Sequence, residues 1–544
     1  MTVIRNGTIV DGSGSSAFVG DVCVEGDRIV DVIRREEGDA PRGEIEIDAT
    51  GQLVTPGFID AHAHSDAYLV IEPSAPSKIS QGITTEINGQ CGGAVAPRYG
   101  EARLSGDWAA ILGERLTWRS LAEYRAVLEQ ARPAINTVQF VGHNTLRSSV
   151  VGYAGRAATP DEQKEMERLL ARTLDEGGWG LTTGLIYQPG KYSTPEEVVA
   201  LAKVAAAKGG YYATHMRSEG DRILEAIDEV LELVKATGIR AEISHLKTSG
   251  RDNWSKIDAV IEKVGGAVEK GLLLGSDRYP YCAAGTDLDV VFSDWAGEGG
   301  IPAEMERLND PTLRRKIEEE INACGRDWST VMIGGTWHPD NKGFSGKTIS
   351  EILSSSKNSR LSSPVSCPLS SHVSRLPSSH TLTPGSLICD ILLRDGCKTG
   401  AFFFGMSEEN LKKIYAQPWI VPGSDASLRA PWGPLGADHP HPRAYATMPE
   451  FYRRVRELGA SREETIRRMT AVPAARFGIR QRGEVRKGWF ADLAIWNEQE
   501  FQAKATYDKP HQFTGGVTAV MVNGVVGYEH GQFNETRGGR FLER

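Results

Sequence analysis

Residues 54–64 read VTPGFIDAHAH, and this stretch decides the fold. Residues 54–59 read as a β-strand, and Asp60, His62 and His64 follow it directly. Alternation along an extended chain points both imidazoles to one side, which is the arrangement that two ligands of one metal need. In a barrel of parallel strands the functional groups lie at the C-terminal ends of the strands, so this stretch suggests the first strand of such a barrel.

Seven further segments read as strands, and segments of helical pattern separate them. Thr159 and Thr194 each open a capping box with proline at the first helical position, and apolar residues recur at helical spacing over residues 223–234. The strands are expected at residues 54–59, 83–87, 137–141, 180–183, 211–213, 241–243, 272–274 and 419–421. Eight strands alternating with helices predict an α/β fold, a (β/α)₈ TIM barrel.

The two ends of the chain are rich in short strands and turns. Asn6-Gly7, residues 25–27 and Asn523-Gly524 are typical of two-residue hairpin loops. Neither end carries enough apolar surface to fold alone. We therefore expect one small β-sandwich domain from residues 1–54 and 480–544, a barrel over residues 55–479, and an insertion between strands seven and eight at about residues 285–415.

The insertion contains a segment of unusual composition. Residues 354–386 hold 13 serines and four prolines and show neither helical nor strand periodicity, which predicts a poorly ordered loop. Such a segment is either a flexible lid or the product of a locally altered reading frame, and the sequence leaves both origins open.

The overall charge argues against several partners. The 62 Lys and Arg against 71 Asp and Glu give a net charge of −9, with no basic run, so neither nucleic acid nor an anionic membrane is an expected partner. The start lacks the pattern of a signal peptide, and no apolar stretch approaches the length of a membrane span. These features predict a cytoplasmic protein, in which seven cysteines are ligands or packing thiols rather than disulfides.

Residues suited to metal binding follow most of the predicted strands. A single His-x-His motif or a single thiol in a glycine turn is weak evidence by itself. The whole set points to a metal site, because the C-terminal ends of the strands meet at one mouth of the barrel. The set is His62, His64, Cys91, His215, His245 and Asp425.

The chain also resembles a known family. Residues 57–64, with GFIDAHAH after a β-rich start, look like the opening of the amidohydrolase superfamily. More narrowly, the chain resembles the N-acyl-D-amino-acid deacylases (D-aminoacylases) over nearly its whole length outside the serine-rich segment. The motifs that carry this resemblance are Cys91 in GQCG, residues 184–187, 214–217 and 279–281, and residues 441–443.

The resemblance implies how the candidate ligands are divided. Cys91, His215 and His245 would hold one tightly bound zinc, and His62, His64 and Asp425 a second, weaker or optional metal. A thiolate with two imidazoles suits zinc independently of the resemblance. Many relatives in the superfamily carry a carbamylated lysine at the fourth strand, but residues 181–184 contain none. This departure counts against a dihydroorotase or hydantoinase.

The same residues suggest a mechanism. Zinc would activate water at neutral pH and polarise an amide, and Asp425 would accept the proton of the water and deliver it to the leaving amine. The alternative for Asp425 is a helix cap after the eighth strand. By resemblance, Lys247, Tyr279 and Arg443 grip the α-carboxylate of the substrate, and Tyr187 helps line the site; the alternative for the two cations is solvent-exposed charge.

The sequence therefore predicts a zinc hydrolase that cleaves N-acyl-D-amino acids, with the D configuration coming only from the resemblance. Two rival hypotheses are a cyclic-amide hydrolase of the same superfamily and a non-catalytic barrel that serves as a scaffold.

Overall fold

The structure is a computed structural model that describes residues 1–38, 40–104, 108–358 and 382–544. The chain divides into two compact units. The first unit comprises Met1–Cys282 and Met406–Arg544, and the second comprises Ala283–Gly405.

The first unit contains a closed barrel of eight parallel strands, which confirms the predicted (β/α)₈ fold. Val141–Gly142 continues the third strand, and the Ala61 amide donates to the Pro422 carbonyl at 3.1 Å, so the first and eighth strands meet. In barrel order the strands are Phe58–Asp60, Ile83–Asn88, Asn136–Gln139, Gly180–Gly184, Tyr211–His215, Arg240–Ile243, Leu274–Arg278 and Ile420–Pro422.

Sequence features explain the local geometry of the barrel. Thr159 and Thr194 cap the helices Pro160–Asp175 and Pro195–Ala207 as predicted, and each hydroxyl accepts a backbone N–H from the third helical residue. Gly180 is required in the fourth strand because a Cβ there would lie 2.0 Å from the carbonyl oxygen of Tyr211.

Helices surround the barrel. Apolar residues at helical spacing, such as Ile227, Val230 and Val234 in Ile223–Thr237, are buried, so one face of each helix covers the sheet. The longer helices of this unit are Leu121–Ala131, His143–Val150, Pro160–Asp175, Pro195–Ala207, Ile223–Thr237, Ile257–Glu269, Glu408–Tyr415, Arg443–Glu457 and Arg462–Met469. The short ones are Tyr68–Ile71, Pro76–Ile79, Trp108–Leu112 and Ala471–Arg476.

Nine strands from both ends of the chain form one continuous hydrogen-bonded sheet. Leu53–Pro56 pairs antiparallel with Leu493–Trp496, and the first barrel strand begins at Phe58. The two ends of the chain thus share one sheet, and its strand Leu53–Pro56 comes directly before the first barrel strand in the sequence. The other strands are Thr2–Ile9, Phe18–Glu25, Arg28–Arg34, Ile45–Asp48, Val517–Val522, Val525–Glu529 and Gln532–Phe533.

One predicted hairpin is wrong. Asn523-Gly524 and residues 26–27 do connect paired strands, but Asn6-Gly7 lies inside the single strand Thr2–Ile9. The pairing register shifts between Ile4 and Gly7, and Asn6 has a φ of +59°, so the dipeptide forms a bulge. The seventh barrel strand also begins and ends later than expected, at Leu274–Arg278 rather than at residues 272–274.

The second unit has its own sheet and core. Ala283–Asp287 and Val331–Ile333 pair antiparallel with Gly400–Phe404. Buried Ile317, Val331 and Ile388 belong to a core that is built within this unit. Its helices are Asp294–Gly297, Ile301–Asn309, Pro311–Ala323, Ile349–Asn358 and Pro384–Asp395.

The two ends of the serine-rich segment are helical, contrary to the predicted loop. Residues 354–358 end the helix Ile349–Asn358, and Pro384 opens the next helix behind a Thr383 cap. Residues 359–381 lie outside the described residues, and the prediction for them stays open.

Two further expectations concern the whole chain. Within the described ranges, no helix combines the length and the apolar character needed to cross a bilayer. The six cysteines of those ranges are free thiols.

Candidate active site

The structure brings the predicted ligands together at one end of the barrel. Three of them, Cys91, His245 and Asp425, have left-handed backbone conformations with φ of +51°, +37° and +49°. Such conformations cost a non-glycine residue about 1–3 kcal/mol and concentrate at functional sites. The backbone just beyond the second, sixth and eighth strands is therefore bent to aim these side chains at one point.

Four ligand atoms form one cluster. The Cys91 Sγ lies 3.3 Å from His62 Nε2 and 3.4 Å from His245 Nε2, and Asp425 Oδ1 lies 3.4 Å from His62 Nε2. His64 Nε2 joins the cluster edge at 3.1 Å from Asp425 Oδ1. The ligand atoms of His62, Cys91, His245 and Asp425 all lie within 4.8 Å of one another.

His215 belongs to a second group that shares His245. Its Nε2 lies 3.6 Å from Glu219 Oε2, and the ligand atoms of His215, Glu219 and His245 also lie within 4.8 Å of one another. The implied division placed Cys91 with His215 and His62 with His64, and in the structure Cys91 also contacts His62, so the two sets of ligand atoms adjoin. Both groups meet at His245.

The residues fit a zinc ion. Although burial raises the pKa of the Cys91 thiol, His62 and His245 hold it well below its usual range, so the thiolate is the favoured form. His215 is buried, and neither of its ring nitrogens forms a hydrogen bond in the described part of the chain. A buried imidazole that forms no hydrogen bond, next to a thiolate, is the donor set that zinc satisfies.

Asp277 supports two of the imidazoles and was not predicted. Its Oδ2 lies 3.3 Å from His62 Nδ1, and its Oδ1 accepts the His245 backbone N–H at 3.0 Å. A carboxylate behind a ligating histidine fixes the ring orientation and the tautomer. The signal was present, since Asp277 lies near the end of the seventh strand, but that strand was expected to end at residue 274 and ends at Arg278.

The predicted carboxylate-binding residues surround one aromatic ring. The guanidinium carbon of Arg443 lies 4.6 Å from the centroid of Tyr279, and the Lys247 Nζ lies 5.8 Å from it. All three side chains are buried, so the alternative of solvent-exposed charge is excluded. Arg443 also donates from Nη1 to Asp425 Oδ2 at 2.7 Å.

Arg278 is a further cation that sequence reasoning missed. Arg278 directly precedes Tyr279 in the chain, and its guanidinium carbon lies 3.9 Å from the centroid of the Tyr279 ring. The residue is 1% exposed. Its Nη2 donates to the Tyr281 carbonyl at 2.8 Å. Lys247, Arg278 and Arg443 together overcome the effect of burial and lower the pKa of Tyr279. The region around this ring therefore has a positive potential suited to an anionic group.

Two other histidine and tyrosine predictions have clear places. Tyr187 packs edge-on against His215, with ring centroids 4.9 Å apart. His143, which is not among the predicted ligands, places Nε2 2.9 Å from Glu197, and Glu197 also accepts from Arg147 at 3.0 Å.

A buried ion network lies next to the ligands. Lys78 Nζ contacts Glu86 Oε1 at 2.7 Å, Asp60 Oδ2 at 2.9 Å and Ser424 Oγ at 3.0 Å. Asp60 Oδ1 accepts the Ser424 backbone N–H at 2.8 Å, which links the first strand to the eighth. The network therefore fixes the backbone that carries His62 and Asp425.

The barrel and the ligands at its strand ends define a class, that of the amidohydrolases. The model of the amidohydrolase family matches residues 46–318 and 398–528. An N-acyl-D-glutamate deacylase from Alcaligenes xylosoxydans xylosoxydans is 31% identical and is matched over 100% of this chain and 96% of its own length. The chain belongs to the N-acyl-D-amino-acid deacylase family of the amidohydrolase superfamily, as the resemblance predicted.

Two further proteins show the same similarity. A D-aminoacylase from the same organism is 29% identical, over 100% of this chain and 97% of its own length. The solved structure of N-acyl-D-glutamate deacylase from Bordetella bronchiseptica, complexed with zinc and a phosphonate mimic of the tetrahedral intermediate, is 28% identical. It has a TM-score of 0.79 and covers 100% of this chain and 99% of its own.

Proposed function

We propose that this chain is a zinc-dependent hydrolase of N-acyl-D-amino acids, which it converts to a carboxylate and a free D-amino acid. One observation carries the proposal: the cluster of His62, Cys91, His245 and Asp425 lies directly beside Arg443, which packs on Tyr279. A metal-ligand set next to buried cations suits a substrate that has both an amide bond and a carboxylate. The substrates named for the family members support this class.

The metal would be held by residues from both ligand groups. Cys91, His215 and His245 are assigned to a tight zinc site, and His62, His64 and Asp425 to a second, weaker site. A bound zinc ion supplies Lewis-acid activation of water and of the amide carbonyl. Shared use of His245 by the two groups supports sites that lie close together.

Asp425 carries the proton. It accepts a proton from the attacking water as the new C–O bond forms, and it delivers that proton to the amine nitrogen as the C–N bond breaks. Its side chain is 13% exposed and contacts both His64 and Arg443, which supports a role among the candidate ligands. These contacts argue against the capping role.

Lys247, Tyr279 and Arg443 bind the α-carboxylate of the substrate. A buried guanidinium can bind a carboxylate through two parallel hydrogen bonds, and the ammonium adds charge. Tyr187, packed on His215, would line the same site. The D configuration of the substrate is inferred from the family, and a cytoplasmic location and the lack of nucleic-acid or membrane partners stay predictions of the sequence.

The test compares an N-acetyl-D-amino acid with the corresponding N-acetyl-D-amino-acid amide, using wild-type enzyme and Arg443→Ala. Truncating one partner of a buried charge pair costs about 2–5 kcal/mol, so kcat/KM for the carboxylate substrate should fall by roughly 30-fold or more. The amide has no carboxylate to lose and should fall much less. Equal losses of kcat/KM on both substrates would contradict the carboxylate-binding role of Arg443 and the proposed substrate class.

A further inference from the structure

Glu219 contacts a candidate metal ligand and a candidate substrate cation with one carboxylate. Its Oε1 lies 3.0 Å from His245 Nδ1 and contacts Lys247 Nζ, and its Oε2 lies 3.6 Å from His215 Nε2. The side chain is 11% exposed. No motif of the sequence analysis included this residue, although it follows His215 by four positions in the chain.

The loop that carries Glu219 is fixed from the neighbouring strand end. The backbone N–H of Ser249 donates to the Glu219 carbonyl at 2.7 Å. Ser249 follows His245 and Lys247 on the loop after the sixth strand. The carboxylate therefore belongs to a site built by two adjacent loops rather than to a mobile surface side chain.

His245 Nδ1 has two competing neighbours. Lys247 Nζ lies 2.8 Å from it and Glu219 Oε1 lies 3.0 Å from it. An ammonium can only donate, so bonding to Lys247 alone would make Nδ1 the acceptor and put the ring proton on Nε2. A carboxylate can only accept, so bonding to Glu219 puts the ring proton on Nδ1 and leaves the Nε2 lone pair free.

The direction of Nε2 decides which of the two arrangements serves the site. His245 Nε2 faces Cys91 Sγ at 3.4 Å, within the cluster of ligand atoms. Only an Nε2 without a proton can ligate a metal ion. An ionised Glu219 meets this need, and it also neutralises the Lys247 ammonium, which lies 3.3 Å from the His245 carbonyl.

We propose that Glu219 is a positioning residue that selects the metal-binding tautomer of His245, because its carboxylate accepts from Nδ1 in competition with the Lys247 ammonium and pairs with that ammonium. The proposal rests on the proposed function only in naming zinc as the metal. The proposal predicts an effect that a purely structural carboxylate would not produce. Removing Lys247 should restore the zinc affinity that is lost when Glu219 is removed.

The test measures the zinc affinity of the metal-free full chain by competition with a chromophoric chelator, with no substrate present. Glu219→Ala should weaken zinc binding by roughly 10- to 100-fold, the usual effect of losing a carboxylate behind a ligating histidine. Lys247→Ala should bind zinc like wild type. The double variant Glu219→Ala, Lys247→Ala should recover most of the lost affinity.

Two further variants keep the test interpretable. Glu219→Gln keeps the size of the side chain and loses its charge, and it replaces Glu219→Ala in both the single and double variants if the alanine protein does not fold. Glu229→Ala removes a carboxylate that pairs with Arg217 at a distance of 2.9 Å and belongs to neither group of ligand atoms. This variant should leave zinc affinity unchanged.

Unchanged affinity in Glu219→Ala, or a double variant that binds zinc no better than the single one, would overturn the proposal. Failure of the proposed function gives a different result. A wild-type enzyme that binds zinc but hydrolyses no N-acyl-D-amino acid would contradict the function, while the four zinc affinities would still decide the role of Glu219.

Discussion

Arg443 Nη1 lies 2.7 Å from Oδ2 of Asp425, so the guanidinium assigned to the substrate carboxylate also holds the carboxylate assigned to proton transfer. The pair links substrate binding to the reaction centre. Burial alone would raise the pKa of Asp425, but Arg443 and His245 hold it well below its usual range. Asp425 is therefore kept ionised, which a proton acceptor requires.

This pairing predicts a change in pH dependence. Loss of Arg443 removes a stabilising charge from ionised Asp425, so the pKa of Asp425 should rise in Arg443→Ala. Since the ionised form is the active base, the acid limb of the kcat/KM profile should move to higher pH. The profile is measured on an N-acetyl-D-amino-acid amide, because this compound has no α-carboxylate for Arg443 to bind. Arg454→Ala, which removes the half-buried partner of exposed Glu408, is the control and should leave the limb in place.

The proton-transfer role of Asp425 predicts a large loss of turnover. Asp425→Asn keeps the shape and removes the base, so kcat should fall by roughly 100-fold or more. Zinc bound by Cys91, His215 and His245 should stay largely in place, as metal analysis of the same sample would show. Asp258→Asn, at an exposed pair with Lys413, should keep normal kcat. Near-normal kcat in Asp425→Asn would contradict the proton-transfer role and favour the alternative role of Asp425 as a helix cap.

The thiolate should determine zinc retention. Cys91 is the one soft ligand of the proposed set, so Cys91→Ala should lose most of the bound zinc and most of the activity. Cys23 is buried in the terminal sheet, and Cys23→Ala should lose neither. Full zinc content and full turnover in Cys91→Ala would show that the metal is held elsewhere.

The buried network at Lys78 should be important for stability. Lys78 is fully buried against Asp60 and Glu86, so Lys78→Met leaves two buried carboxylates without their cation. Such a change costs about 3–5 kcal/mol in the free energy of unfolding. Lys413→Met, at an exposed pair, should cost less than about 1 kcal/mol. Urea unfolding of both variants checks the difference, and equal costs would contradict the account of the network.

The fold was predictable because strand and helix signals are local. Capping residues such as Thr159 act within one turn, and buried parallel strands read as short apolar segments wherever they occur in the chain. The Asn6-Gly7 dipeptide shows the limit of local reasoning. The same residues fit a hairpin turn or a bulge, and pairing with distant strands decides between them.

The site was predictable only in part for a similar reason. Candidate ligands such as His62 and Cys91 belong to motifs with a fixed place after a strand. Asp277 contacts His62 across 215 positions, Glu219 contacts Lys247 across 28 positions, and Arg278 lies at a strand end that was not predicted. Their roles come from three-dimensional contacts, so a single sequence names them as polar residues and gives no partner.

The substrate selectivity of the zinc-loaded enzyme tests the proposed hydrolysis of N-acyl-D-amino acids. Zinc-loaded wild-type enzyme is assayed by steady-state kinetics against N-acetyl-D-amino acids that differ in side chain, with the matching L-isomers and a cyclic amide as controls. At least one D-substrate should be hydrolysed with a kcat/KM far above that of its L-isomer and of the cyclic amide. Turnover of the cyclic amide alone, or no hydrolysis of any D-substrate by fully metallated protein, would contradict the proposed hydrolysis.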